Sequence, residues 1–258
     1  MFLSGIKKIQ IGYEAVTDNL LKKMGKKQSL SDNLLLIKFS LKYGIKVSGA
    51  NLITDLVNEE KDDIMESINN LHFFRFFLNN KTFKHNIVHL AITRNSMYYK
   101  MLPEEKKEEW TKNRLYYHFS SDLFNNFNRF TLFEFQKNYS DYLWEIFEKS
   151  SNFYIETDFK YKLISYNGII EYKEYIEDIE IKSLLFEEDY YWAILQIAND
   201  KVVSLTNIVK ELKKTHDKDI PKSVIISQIN ELTNEYILYA NKDYSNIVSI
   251  IDTTLLLN

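Results

Sequence analysis

A chain of 258 residues that is 45% apolar can bury one large domain, or a medium one with a smaller neighbour, and no long stretch has the composition of disorder. A formal charge of -3 supplies no general attraction to nucleic acid or to anionic membrane, and the absence of cysteine excludes disulfides and thiolate-held metal. Met1 to Lys8 is too short and too polar for a signal peptide, and no run of about 18 apolar residues occurs, so the sequence reads as a cytoplasmic protein without a membrane span.

The first third alternates strand and helix. Lys8 to Gly12 reads as a strand, Asn19 to Met24 as a helical run capped by Thr17 or Asp18, and Leu30 to Tyr43 as a helix with Leu34, Ile37 and Leu41 on one face. Gly44 stands at its C-cap, Ile45 to Ile53 is the next strand, Glu59 to Leu71 a helix with an acidic first turn, and Asn86 to Ile92 a third strand. This β-α-β-α-β order predicts parallel strands with right-handed crossovers. Three such strands are a poor sheet alone, because parallel strands need both faces covered and their edges paired. A partner chain, a second copy or an N-terminal half is expected to cover the open edge of the first strand.

The middle of the chain is aromatic. Pro103 to Lys112, Asp122 to Lys137 and Tyr139 to Ser150 read as helices, and Phe124, Phe127, Phe130, Phe133, Tyr142, Trp144 and Phe147 are either core or the lining of a peptide groove. Phe159 to Tyr166 and Ile169 to Tyr175 form a hairpin across Asn167-Gly168, with Glu177 to Lys182 as a possible third strand. The tail reads as three helices, Asp189 to Ala198, one capped by Ser204 and one opened by Pro221, followed by a hairpin of Tyr236 to Ala240 with Asn246 to Ile251. Three helices and a wing suggest a winged-helix module. The expected division is therefore 1–102, 103–185 and 186–258.

At the end of the first strand, Gly12 permits close backbone approach and Glu14 is a carboxylate able to accept from hydroxyls or an amine; the same triplet also suits an ordinary turn. His85 and His89 stand four apart but in and beside a strand, without a third metal ligand nearby. The winged-helix pattern raises DNA binding, yet Phe186 to Asn258 holds 7 Lys against 11 Asp plus Glu, a balance of 7 - 11 = -4, and a DNA reader needs a basic face. A peptide can instead pair with the wing, with Tyr236 to Ala240 or Asn246 to Ile251 as the docking strand.

The order Ile9 to Lys26, Tyr43-Gly44-Ile45-Lys46-Val47, Asn51-Leu52-Ile53, Ile92-Thr93-Arg94-Asn95-Ser96-Met97-Tyr98-Tyr99, the hairpin and the helical tail resembles the second half of the cobalamin-dependent radical SAM enzymes that mature ribosomally made peptides, over Ile6 to about Ile251. That resemblance implies an α/β fold with half of a radical SAM (TIM-like) barrel, a helical and hairpin segment and a winged-helix-like module that holds a precursor (leader) peptide. It implies that Gly12, Glu14, Asn51 and Glu59 wall the S-adenosylmethionine pocket and that Arg94, Ser96 and Tyr98 face the substrate. The chain departs from the family where a Y-G-F-P-G-E turn is expected: Thr54-Asp55-Leu56-Val57-Asn58-Glu59 keeps only the acid, which also suits a helix start. The three cluster cysteines, C-x-x-x-C-x-x-C, and the cobalamin domain are absent from the sequence, so an iron-sulfur cluster and cobalamin would come from another chain. Two readings follow: part of a peptide-maturation enzyme completed by a partner, or a non-catalytic relative that binds a precursor peptide or a partner protein.

Overall fold

The computed structural model describes residues 5–93, 96, 100, 102–107, 110–112, 134–137, 140–167, 169–186, 190–216 and 220–257. Arg94, Tyr98, the aromatics Phe124, Phe127, Phe130 and Phe133, and the turn residue Gly168 lie outside them.

The fold is mixed α/β. Strands β1 (Lys8–Gln10), β2 (Lys46–Thr54) and β3 (Phe83–His89) form a parallel sheet in the order β1-β2-β3. Helices α1 (Asp18–Lys23) and α2 (Leu30–Lys42) connect β1 to β2; α3 (Lys61–Asn70) and the short α4 (Arg75–Leu78) connect β2 to β3. The ends follow local chemistry. The Thr17 side chain accepts from the Leu20 N–H, and Ser29 and Asp32 form a reciprocal capping box that starts α2. Gly44, at φ +63°, supplies the left-handed residue that ends it.

Alternation along β2 buries Ala50, Leu52 and Thr54 on one face and leaves Asn51 exposed on the other. The buried face meets a core in which Tyr13 packs edge-on to Phe74 and Phe83, with centroids 5.7 and 5.9 Å apart. Helix α5 (Glu104–Lys107) is shorter than the helix expected to Lys112; residues Trp110–Lys112 are strand β5 instead, paired with β6 (Glu134–Lys137), which falls inside another expected helix. Strand β4 (Ile92–Thr93) also pairs with β6, so the strand expected from Asn86 to Ile92 ends earlier and the chain leaves the parallel sheet. Among the described residues there is no closed barrel.

Helix α6 (Tyr142–Glu156), capped by Asp141, brings Leu143, Trp144 and Phe147 to the first core. Strands β7 (Phe159–Tyr166), β8 (Ile169–Ile176) and β9 (Ile179–Phe186) form an antiparallel meander, and the expected hairpin register holds from Phe159↔Ile176 to Tyr166↔Ile169. Asn167, at φ +51°, takes the positive angle such a turn requires. The third strand runs four residues beyond the expected Lys182.

Helices α7 (Tyr191–Ile197), α8 (Leu205–His216) and α9 (Lys222–Asn234) precede a hairpin of β10 (Leu238–Ala240) and β11 (Ile247–Ser249). Strand β12 (Leu256–Leu257) then adds parallel to β7 and makes that sheet mixed. These helices and the inner face of β7–β9 enclose a second core around Tyr172, Ile208, Ile225 and Ile229.

Arg75 fastens the two cores. Its guanidinium is fully buried and donates to both oxygens of Glu174 on β8 (2.7 and 2.9 Å), to the His72 carbonyl and to the Tyr236 carbonyl that leads into β10 (both 2.9 Å). Tyr172 donates its hydroxyl to Glu174 at 2.6 Å. Burial alone would lower the Arg75 pKa and raise that of Glu174. Their mutual hydrogen bonds outweigh it, so Arg75 lies above and Glu174 below the ordinary value.

Candidate functional site

Ligands of parallel α/β sheets bind beyond the carboxyl ends of the strands, where loops leave the sheet and backbone amides point outward. At that edge here, Glu14 adopts φ +58°, a conformation uncommon for a residue with a side chain. It is held there by its N–H to the Asn51 carbonyl (2.7 Å) and by its carbonyl to the Ile53 N–H (2.8 Å). Its carboxylate pairs with Lys26 Nζ at 2.8 Å. The Gly12 carbonyl accepts from the Gln28 side-chain amide. A Cβ at Gly12 would meet Gln28 and Glu14 only at 3.6 Å, so the neighbouring side chains do not demand glycine there.

Asn51 lies on the exposed face of the sheet, in register with Asn86 on β3, whose amide nitrogen is 3.5 Å from Asn51 Oδ1. Gly12, Asn51 and Asn86 are all exposed, and among the described residues neither β1 nor β3 pairs with a further strand on its outer side. The sheet is therefore covered on one face and open on the other.

Glu59 is not on that open face. One oxygen accepts from the Leu56 N–H at 2.8 Å and the other from the Trp144 indole at 3.1 Å, which pins the turn after β2 to α6. The N-cap of the following helix is Glu60, whose side chain and Asp63 form the box. Ser96 lies in a turn after β4, its N–H donating to the Thr93 carbonyl at 2.9 Å. It follows the antiparallel pair of β4 with β6 rather than the end of β3. Of the expected pocket residues, Gly12, Glu14 and Asn51 are brought together at the carboxyl end of β1 and the middle of β2, and Glu59 is drawn into the fold.

The edge also holds a pair that spacing did not single out. Asp55, at φ +63°, follows β2; its carboxylate oxygens lie 2.6 Å from His89 Nδ1 and 2.7 Å from Ser140 Oγ. His85, four residues earlier, is buried; its Nε2 meets Ser151 Oγ, and burial lowers its pKa to about 4. The two histidines thus have different environments. The signal for the pair was positional: a carboxylate just past one parallel strand and an imidazole at the end of the next.

A second concavity, of about 1050 Å³, lies between α1 and α3 on one side and the β10 end of the tail on the other. Asp18, Glu60, Asp62, Asp63, Glu66 and Asp243 line it, against Lys22 and Lys242, and Phe73 and Tyr239 contribute ring surface. Asp63 is neutralised by Lys23 at 2.6 Å, whereas Asp62 and Glu66, one turn apart on α3, form no ion pair among the described residues. Burial raises the Glu66 pKa; Lys242 opposes this, and Asp18 and Asp63 reinforce it.

The hairpin edges are not equivalent. Ile250 donates to the Ile237 carbonyl and Asn241 to that of Asn246. Directly bonded pairs alternate in an antiparallel ladder, so Tyr239 and Val248 face each other, and Ala240, Ile247 and Ser249 point outward. The outward groups of β11 are taken: Ile247 exchanges two bonds with Val203 (2.8 and 2.9 Å), the Ser249 N–H donates to Ala198 (2.9 Å), and its carbonyl accepts from Lys38 (2.7 Å). Asn246 to Ile251 is therefore not a free docking edge, contrary to the expectation from sequence. Ala240 on β10 borders the acidic cavity, and its amide and carbonyl make no hydrogen bond to a described residue. Comparison with protein-family models, with curated proteins and with solved structures found no match.

Proposed function

We propose that this chain is the peptide-holding part of a radical SAM peptide-maturation system, with β1-β2-β3 as part of a barrel completed by a second protein and the winged-helix-like tail as the module that holds a precursor peptide. The observation that carries this reading is the parallel sheet with helices on one face and an exposed amide-bearing face, Gly12, Asn51 and Asn86, on the other. Such a sheet is stable as a layered structure only when that face is covered. The cluster and cobalamin would belong to the completing protein, since this chain has no cysteine. S-adenosylmethionine would lie where Gly12, Glu14 and Asn51 meet that partner, and Arg94, Ser96 and Tyr98 would bind the substrate. The acidic cavity beside β10 suits a leader with basic residues: an extended peptide gains backbone bonds at Ala240, and Asp62 and Glu66 add attraction that salt screens.

A second reading, a non-catalytic relative that binds peptide without S-adenosylmethionine, is favoured by the internal occupation of the pocket residues. Glu14 is paired with Lys26, and Glu59 is consumed by Leu56 and Trp144.

Calorimetry separates the two. A lysine-rich peptide of about twenty residues, long enough to span the cavity as an extended strand, is titrated into the chain, and S-adenosylmethionine is titrated into the chain alone and with a co-expressed protein bearing C-x-x-x-C-x-x-C. The first reading expects peptide binding by the chain and S-adenosylmethionine binding by the complex. The second expects peptide binding alone. In both, Asp62→Lys with Glu66→Lys weakens the peptide about tenfold or more at low salt, and the difference shrinks at about 0.5 M salt. Peptide affinity unchanged by that double reversal would reject the cavity as the peptide site.

A further inference from the structure

We propose that Asp55 and His89 form a general-base dyad at the carboxyl edge of the parallel sheet, with His89 Nε2 as the proton acceptor and Asp55 as its positioning residue. The reaction class is attack of water on an acyl group. The inference does not depend on completion of the barrel, because both residues belong to this chain.

The exposures carry it. The Asp55 side chain is 3% exposed and the His89 side chain 65%. The carboxylate is held inside the fold while the ring faces solvent, so the imidazole can meet a substrate without disturbing the buried contacts of Asp55. Asp55 Oδ2 lies 2.6 Å from His89 Nδ1 and also accepts from Thr54 Oγ1 at 3.0 Å, while Oδ1 accepts from Ser140 Oγ at 2.7 Å. No lysine or arginine pairs with this carboxylate among the described residues.

The backbone fixes both ends. Thr54 and His89 are the last register pair of β2 with β3, and the Leu90 N–H donates to the Thr54 carbonyl at 2.9 Å. The positive φ of Asp55 follows directly on the last residue of β2. Non-glycine residues held in that region occur disproportionately at functional sites, although aspartate tolerates it better than most.

A proton on Nδ1, donated to Asp55, leaves the Nε2 lone pair free. Nε2 makes no hydrogen bond to a described residue. Ser140 donates to Asp55 rather than to the imidazole, and the chain has no thiol, so the described residues place no side-chain nucleophile at Nε2. The ring is open to solvent, so the proton it takes is that of water. As the water oxygen bonds to the acyl carbon, its proton passes to Nε2; the bond from that carbon to the leaving oxygen breaks. The imidazolium then returns the proton to the leaving oxygen or to solvent. Asp55 holds the imidazolium through Nδ1–H and takes no proton itself.

The test uses the isolated chain with p-nitrophenyl acetate as the probe, together with nitrogen-15 spectra of the histidine rings. The parent should hydrolyse the probe at least about tenfold faster than His89→Gln, which removes an exposed ring and leaves the core intact. Neutral His89 should carry its proton on Nδ1, and Asp55→Asn should move it to Nε2 and lower the rate. Circular dichroism checks that each variant is folded. If Asp55→Asn does not fold, the parent spectrum and His89→Gln decide between them. Hydrolysis by His89→Gln as fast as by the parent, or a neutral parent His89 protonated on Nε2, would overturn the dyad.

Discussion

Replacing Glu174 by alanine leaves the Arg75 guanidinium buried without its counter-charge. Two charge-assisted hydrogen bonds, at 2.7 and 2.9 Å, disappear, and Tyr172 loses the acceptor of its hydroxyl. Arg75 is fully buried and Glu174 1% exposed, so water cannot replace the carboxylate without opening the junction between the two cores. Removing one partner of such a pair costs about 3–5 kcal/mol, a large share of a domain's stability. Replacing both charges, as in Arg75→Met with Glu174→Leu, leaves only neutral groups short of a partner, the Tyr236 carbonyl and the Tyr172 hydroxyl, since the His72 carbonyl keeps the Arg75 backbone N–H. A neutral orphan costs about 1–3 kcal/mol, less than an orphaned charge, so the double variant is expected to be more stable than Glu174→Ala alone, which orphans the Tyr172 hydroxyl as well as the Arg75 charge. Urea unfolding of the three proteins at neutral pH reads the difference directly. The Tyr236 carbonyl leads into β10, so Glu174→Ala is also expected to loosen the acidic cavity and weaken peptide binding beyond what stability alone explains. A cost for Glu174→Ala below about 1 kcal/mol, or a double variant less stable than the single, would refute the assignment of this pair as the fastening between the cores.

Two other outcomes follow from the same geometry. Ala240→Pro removes an outward amide of an edge strand and should weaken the lysine-rich peptide about tenfold, about 1.4 kcal/mol, with little change in the thermal midpoint; Val248→Pro removes an inward ladder amide and should instead lower the midpoint sharply, a contrast that thermal unfolding beside calorimetry resolves. Burial, with Arg75 adding for His72, lowers the pKa of both His72 and His85 to about 4. The unfolded chain therefore binds protons that the folded one does not between about pH 6.5 and 4, so stability is full above that window and falls with pH through it, by up to about 1.4 kcal/mol per unit per histidine. Denaturant titrations at several pH values should show a shallower fall for His85→Phe.

The parts legible in the sequence were those whose cause is local. Thr17, Ser204 and Pro221 mark helix starts by chemistry within one turn, and Asn167-Gly168 fixes the register of β7 with β8 because a two-residue turn leaves no other pairing. Strands β5 and β6 were missed for the opposite reason. Trp110–Lys112 is three residues long, continues a charged segment of helical appearance, and is a strand only because Glu134–Lys137, more than twenty residues away, lies beside it. The candidate sites divide in the same way. The Glu14 strand end was visible as a glycine and a carboxylate closing an apolar run, but the turn of Glu59 toward Leu56 and Trp144 depends on where α6 packs. Asp55 and His89 are separated by α3 and α4, and their meeting requires that β2 and β3 be adjacent and in one register. An order of β-α-β predicts adjacency; the register is set by which faces of both strands are buried, Leu52 and Thr54 on one and Phe83 and His85 on the other. With that register, Thr54 falls opposite His89 and the next residue, Asp55, reaches its ring. A one-residue slip of either strand would turn Thr54 or His85 out of the core and carry the carboxylate away from the imidazole, so the hydrophobic pattern that holds the sheet together also holds the dyad.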